Sequence, residues 1–138
     1  KALAPLRVLI VDDQQMVREG LSCILEEYDG LTVVGQASTG EQALQLAYTL
    51  MPEVVIMDMC MPGWNGAEST RRILEKYPAT VVIGMSIQTD PHVAESMREA
   101  GVAAFLPKED IANELYTTIQ TSVTRARSSR SMTSRLPV

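Results

Sequence analysis

The sequence predicts an α/β fold, a five-stranded parallel sheet doubly wound with five helices and expected in the strand order 2-1-3-4-5. Three observations carry this. Short apolar runs bounded by turn signals recur along the chain, as buried parallel strands do. Segments with helical spacing alternate with them, and right-handed crossovers then favour a doubly wound sheet. Four of the runs also end on residues that carry chemistry: Val8 to Val11 stops at Asp12 and Asp13, Val54 to Met57 at Asp58, Val81 to Met85 at Ser86, and Ala103 to Pro107 at Lys108. Ligands of open α/β sheets bind outside the carboxyl ends of such strands, so the four endings are expected to converge on one site.

The elements follow in order. After Asp13, the residues Val17, Leu21, Ile24 and Tyr28 mark one face of a helix that Asp29 and Gly30 end. Leu31 to Gly35 reads as the second strand. Thr39, Gly40 and Glu41 open a helix that carries Ala43, Leu44, Ala47 and Leu50 inward, until Pro52 stops it and sets up the third strand. Pro62-Gly63 and Asn65-Gly66 mark a compact loop before a helix from about Ala67 to Lys76, closed by Tyr77-Pro78. A fourth strand to Ser86 precedes Asp90-Pro91, an N-cap and first-turn pair, and Val93, Met97 and Ala100 face the sheet until Gly101. The last helix starts near Asp110 and buries Ile111, Leu115 and Ile119.

A chain of 138 residues suits one domain, read here as 1–124, followed by a basic Ser/Arg-rich tail or linker at 125–138. All 17 Asp and Glu fall at or before Glu114, while four of the 12 Lys and Arg lie in the tail, leaving 8 basic residues in an acidic body. Such a body is a poor nucleic-acid binder, so no DNA binding is expected of this segment. No stretch approaches the roughly 20 apolar residues of a membrane span and no signal-peptide pattern opens the chain, so a soluble cytoplasmic protein is expected. Its start at Lys1 rather than Met suits a processed chain or a piece of a longer one. Cys23 and Cys60 have no CxxC partner and read as reduced thiols.

The expected order makes the first and third strands neighbours and groups Asp12, Asp13 and Asp58. Three carboxylates together repel one another unless they share a cation, and hard oxygen ligands suit Mg²⁺. Taken singly, the members are ordinary: Asp12 and Asp13 could cap a helix, Asp58 could form a turn, Ser86 could bond its own backbone and Lys108 could be solvated. Their joint occurrence reverses those odds. His92 near a helix start reads as solvent-facing, the eight Met as core fillers, and Trp64 equally as loop packing or a partner contact.

With these marks and the Met61-Pro62-Gly63 turn, the chain resembles the receiver domain of two-component response regulators from about Leu6 to Thr121. Met16 to Leu21 and Val33 to Ala37 are further similar to receivers of the LuxR-type DNA-binding subfamily. The resemblance implies the flavodoxin-like version of the fold and a phosphoacceptor at Asp58, supplied by a histidine kinase or phosphotransfer protein. It implies Mg²⁺, with Mn²⁺ as a substitute, held by Asp13, Asp58 and the backbone carbonyl of Cys60, with Asp12 acting mainly through water. Lys108 and Ser86 would bind the phosphoryl group, and Phe105, three residues before the lysine, would turn inward as the switch. Cys60 and Gln88 border the phosphoryl group and would modulate its loss. The altered surface would be the fourth helix, fifth strand and fifth helix, a dimerisation or output face. One departure is that Pro107 precedes Lys108 and Glu109 follows it, where family members often have Pro next.

The expected role is therefore a phosphorylatable switch in transcriptional regulation, not an enzyme beyond self-catalysed phosphotransfer and dephosphorylation. An alternative is the C-terminal receiver of a hybrid sensor kinase. A haloacid-dehalogenase-type hydrolase wants a second Asp two positions after the nucleophile, where Cys60 stands. A flavodoxin-like FMN carrier wants a phosphate cradle after the first strand, where Asp12 and Asp13 would repel the phosphate.

Overall fold

The computed structural model describes residues 4–87 and 90–135, with side chains described as far as Ser129. Its strands are β1 (Leu6–Val11), β2 (Leu31–Ala37), β3 (Val54–Asp58), β4 (Val81–Ser86) and β5 (Ala104–Pro107). They alternate with α1 (Gln15–Glu26), α2 (Gly40–Leu50), α3 (Gly66–Lys76), α4 (Pro91–Ala100) and α5 (Ile111–Arg135), and a 3₁₀ turn at Lys108–Asp110 leads into α5. All neighbouring strands are parallel, in the order β2-β1-β3-β4-β5. Among the described residues no helix is long and apolar enough to cross a membrane.

The core forms two layers because side chains alternate across each strand. Val8 and Ile10 of β1, Ile56 of β3 and Ile83 and Met85 of β4 pack against Leu21 and Leu25 of α1 and Leu115 and Ile119 of α5. On the opposite face Leu9, Val11, Val55, Met57 and Val82 meet Ala43 and Ala47 of α2, Ile73 of α3 and Met97 of α4. β1, β3 and β4 are buried on both faces, which is why their sequences read as unbroken apolar runs.

Start signals in the sequence correspond to real caps. Thr39 accepts from the Gln42 amide, Asn65 from the Glu68 amide and Asp90 from the His92 amide, with Pro91 in the first turn. Gly101 ends α4 at φ 112°, in the left-handed region that favours glycine.

Three elements differ from the sequence reading. The buried stripe of α1 centres on Leu21 and Leu25, with Ile24 only half-buried because it lines the open cleft between α1 and α5; past the helix end Tyr28 stacks on Tyr116 with ring centroids 3.9 Å apart. β2 runs on to Ala37 through a bulge: Val8 pairs with Val33 but Leu9 with Gly35. Last, α5 is 25 residues long and carries helix through positions 125–135, with Arg127 paired to Glu53 beside β3 at 3.3 Å.

Gly66 marks the tightest backbone approach beside the site. Its amide donates to the Met59 carbonyl at 2.8 Å, and a Cβ there would overlap the Asp58 carbonyl oxygen and lie 2.7 Å from Met59 Cα. Backbone cannot swing aside as a side chain can. Gly66→Ala is therefore expected to cost about 1–3 kcal/mol in urea unfolding. Gly20→Ala, in α1 with nothing within 4 Å of the added carbon, is expected to gain roughly 0.5–1 kcal/mol.

Candidate functional site

The carboxyl ends of β1, β3, β4 and β5 lie together, as parallel strands in this order require. β1 ends with the Asp12 amide donating to the Ala37 carbonyl at 3.1 Å, and the chain then turns into α1. Asp12 does not cap the helix: the N-cap is Gln14, which makes no side-chain cap bond. Instead Asp12 Oδ1 accepts from the Gln14 amide at 2.8 Å, which aims the carboxylate across the strand ends. Asp12 is fully buried, Asp58 is 2 % exposed and Asp13 stands at the open rim.

Ligand oxygens of Asp12, Asp13 and Asp58 all lie within 4.8 Å of one another. Lys108 reaches in from the 3₁₀ turn after β5, its Nζ 2.8 Å from Asp12 Oδ2 and 3.4 Å from Asp58 Oδ1. The Cys60 amide donates to Asp58 Oδ1 at 3.3 Å, so the backbone of the following loop lies against the same carboxylate. Ser86 is buried at the end of β4, whose Met85 pairs with Asp58 in the register.

The electrostatics follow from burial and from the excess of carboxylates over cations. Asp58 is pushed up to about 6 by desolvation and then by the negative charge of Asp12, against the opposing pull of Lys108 and the Cys60 amide. Burial works against the Lys108 ammonium, yet its hydrogen bond to Asp12 and the charges of Asp58 and Asp12 hold it above the ordinary lysine value. Three carboxylates against one ammonium leave two negative charges, the charge of one divalent ion. Opposite ligands on octahedral Mg²⁺ stand about 4.2 Å apart and adjacent ones closer, so oxygens within 4.8 Å of one another are nearly within reach of one such ion. Hard oxygen donors already gathered around a cation fit such an ion.

The remaining sequence candidates fall as follows. Phe105 is half-buried on β5, with its ring over Gly84, where a Cβ would come within 3.0 Å of Cδ1. Cys60 and His92 are exposed. Gln88 lies outside the described residues. Trp64 is half-buried under Arg72, whose guanidinium carbon sits 4.3 Å from the ring centroid. The Lys108–Glu109 peptide is trans, like every other described here.

Arg18 and Gln36 were not singled out from the sequence. Arg18 Nη1 donates to the Asp12 carbonyl at 2.7 Å, and its Nε donates to Gln36 Oε1 at 3.2 Å. A signal existed, because a cation near a helix N-terminus opposes the helix dipole and needs a partner. Beside the site, exposed Met16 and a cleft of about 250 Å³ between α1 and α5, bordered by Lys108, present apolar surface.

Comparison with known proteins places this arrangement. The response regulator receiver domain family matches residues 8–120. The chain is 40 % identical over 115 residues to response regulator GacA of Pseudomonas protegens, covering 83 % of this chain and 54 % of that one. It is 37 % identical over 115 residues to response regulator UvrY of Escherichia coli K12, covering 83 % and 53 %. The chain thus spans about half the length of the curated relatives it matches. Among solved structures, a LuxR-family two-component response regulator from Aurantimonas sp. SI85-9A1 superposes with a TM-score of 0.83 at 29 % identity, covering 88 % of this chain and 86 % of that one.

The opposing charges around Asp58 give signed expectations for its titration, read from the carboxyl carbon in NMR without divalent metal. Lys108→Met should raise the Asp58 pKa above about 6 and Asp12→Asn should lower it. The folded pKa lies above the unfolded value of 3.8, so Asp58 binds its proton more tightly when folded. Its contribution to stability is present below pH 3.8 and is lost as pH rises through about 6. In urea unfolding, Asp58→Asn should remove that loss and gain on the parent across this window.

Proposed function

This chain belongs to the response regulator receiver domain family, and from that premise we propose that Asp58 is its phosphoacceptor and that the site stores a signal as an aspartyl phosphate. The observation that carries the proposal is the meeting of Asp12, Asp13, Asp58 and Lys108 at the carboxyl ends of β1, β3 and β5.

In the proposed reaction an Asp58 carboxylate oxygen forms a bond to the phosphorus of a phosphohistidine on a kinase or phosphotransfer protein. The P–N bond breaks, and the imidazole leaves with the electron pair. Asp13, Asp58 and the Cys60 carbonyl would hold Mg²⁺ or Mn²⁺, with Asp12 acting through water. When bound, the ion neutralises charge on the phosphoryl oxygens in flight. Lys108 then exchanges its carboxylate partners for a phosphoryl oxygen, a move its flexible stem permits. The apolar cleft beside Lys108 and exposed Met16 support a protein as donor, since a small phosphate compound has no use for them.

Ser86 donates to the new phosphoryl group, and Phe105 packs into the space it leaves. The readout surface in this proposal is α4, β5 and α5, which would serve a second copy or an output domain. Cys60 and Gln88 would tune how fast water removes the group. The response regulators GacA and UvrY are matched over about half their length, which is consistent in this reading with an attached output domain, and the output proposed here is regulation of transcription.

Incubation with acetyl phosphate and Mg²⁺ should place one phosphoryl group on the protein, read as an added 80 Da by intact mass and removed by hydroxylamine. Asp58→Asn should take up none, and chelation of divalent metal should abolish labelling of the parent. Labelling of Asp58→Asn equal to the parent would refute the assignment.

A further inference from the structure

Arg18 stands where a helix disfavours it. It is the fourth residue of α1, close to N–H groups that repel a cation, and it is held there by two acceptors, the Asp12 carbonyl and Gln36 Oε1. The second acceptor is within reach only because β2 is bulged. Before the bulge, Leu31 and Val33 face the α1 and α5 side. After it, Gly35 and Ala37 face α2, where a Cβ on Gly35 would meet Leu50. Alternation then sends Gln36 to the α1 side, where Arg18 lies. An unbulged strand would bury Gln36 under α2 instead.

We propose that Arg18, anchored by Gln36, is a positioning residue that sets the β1–α1 turn so that Asp12 and Asp13 present their carboxylates to a divalent cation beside Asp58. This rests on the receiver reading of the same site. The Asp12 carbonyl and the Asp13 amide belong to one rigid peptide plane, so holding the carbonyl fixes the direction in which the chain enters Asp13. The Asp12 side chain is tied to the same turn through the Gln14 amide. A planar guanidinium offers Nη1 and Nε in a fixed fork that spans the two acceptors, which an ammonium cannot reproduce. The bulge, Gln36, Arg18 and the acidic turn thus form one chain of contacts from the sheet edge to the metal-binding position.

Two substitutions separate positioning from charge. Gln36→Leu alters no charge and removes only the anchor, whereas Arg18→Lys keeps the charge and loses the fork. Both are expected to weaken Mg²⁺ binding about tenfold, the scale for groups that orient metal ligands, in amide NMR titrations with MgCl₂. The double variant should be no weaker than the weaker single, because the two residues act as a unit. Gln36→Glu keeps an acceptor for Arg18 and should bind Mg²⁺ no more weakly than the parent. Should Gln36→Leu fold poorly, Gln36→Ala makes the same charge-neutral test. Parental Mg²⁺ affinity in the charge-neutral variant, whatever its urea midpoint, overturns the proposal while Asp58-dependent labelling of the parent leaves the receiver reading standing. Absence of Mg²⁺ binding by the parent overturns both.

Discussion

Two nearly dry carboxylates and one at the rim share a single ammonium, and the carboxyl end of the sheet is organised around that imbalance. Asp12 and Asp58 are brought together by the adjacency of β1 and β3, and Lys108 comes from beyond β5, 96 residues from Asp12. Unpaired, either buried carboxylate would cost several kcal/mol, on the order of what breaking a buried ion pair costs. Lys108 offsets part of this, and the rise of Asp58 to about 6 records what is left uncompensated. The site is therefore costly to the fold and receptive to added positive charge.

The two-faced burial of the central strands sets where that imbalance can sit. β1, β3 and β4 have no solvated face, so their polar residues can appear only at the ends, and parallel pairing puts all the carboxyl ends on one edge. Close backbone contact keeps the edge compact. Gly66 meets the Asp58 carbonyl with no room for a side chain, and the Met59 amide donates to the Met85 carbonyl at 2.8 Å, tying the loop after Asp58 to β4. The proposed nucleophile thus stands on backbone that is held from two directions.

Much of this was legible in the sequence because it rests on local signals. Strand endings at Asp12, Asp58, Ser86 and Lys108, the Thr39, Asn65 and Asp90 caps and the strand order all follow from periodicity, turn chemistry and crossover handedness. What escaped depends on tertiary contact. Leu25 rather than Ile24 is fully buried because Ile24 borders the open cleft between α1 and α5, a placement no single helix encodes. The bulge in β2 leaves no local mark beyond Gly35, and it alone decides which face Gln36 takes. Helix continuing through 125–135 was obscured by a Ser- and Arg-rich composition that helices tolerate but do not advertise.

β4 carries both the chemical and the mechanical end of the proposed switch. Ser86 and Gly84 are two residues apart and so share a face with Val82, the face of α4. At Gly84 the space a side chain would take is occupied by the Met97 methyl and the Phe105 ring, 2.7 and 3.0 Å from where a Cβ would stand. A hydroxyl drawn toward Asp58 from position 86 would open volume on this face, next to that ring. Phe105 has no hydroxyl with which to follow Ser86 by hydrogen bonding, so its only means of response is packing. Close-packed interiors settle into discrete arrangements rather than deforming smoothly, since a partly filled void forfeits contact on every side. In this chain the packing of the ring is then set at Gly84, where the Met97 and Val102 side chains crowd the same position, and by whatever partner covers α4 and β5.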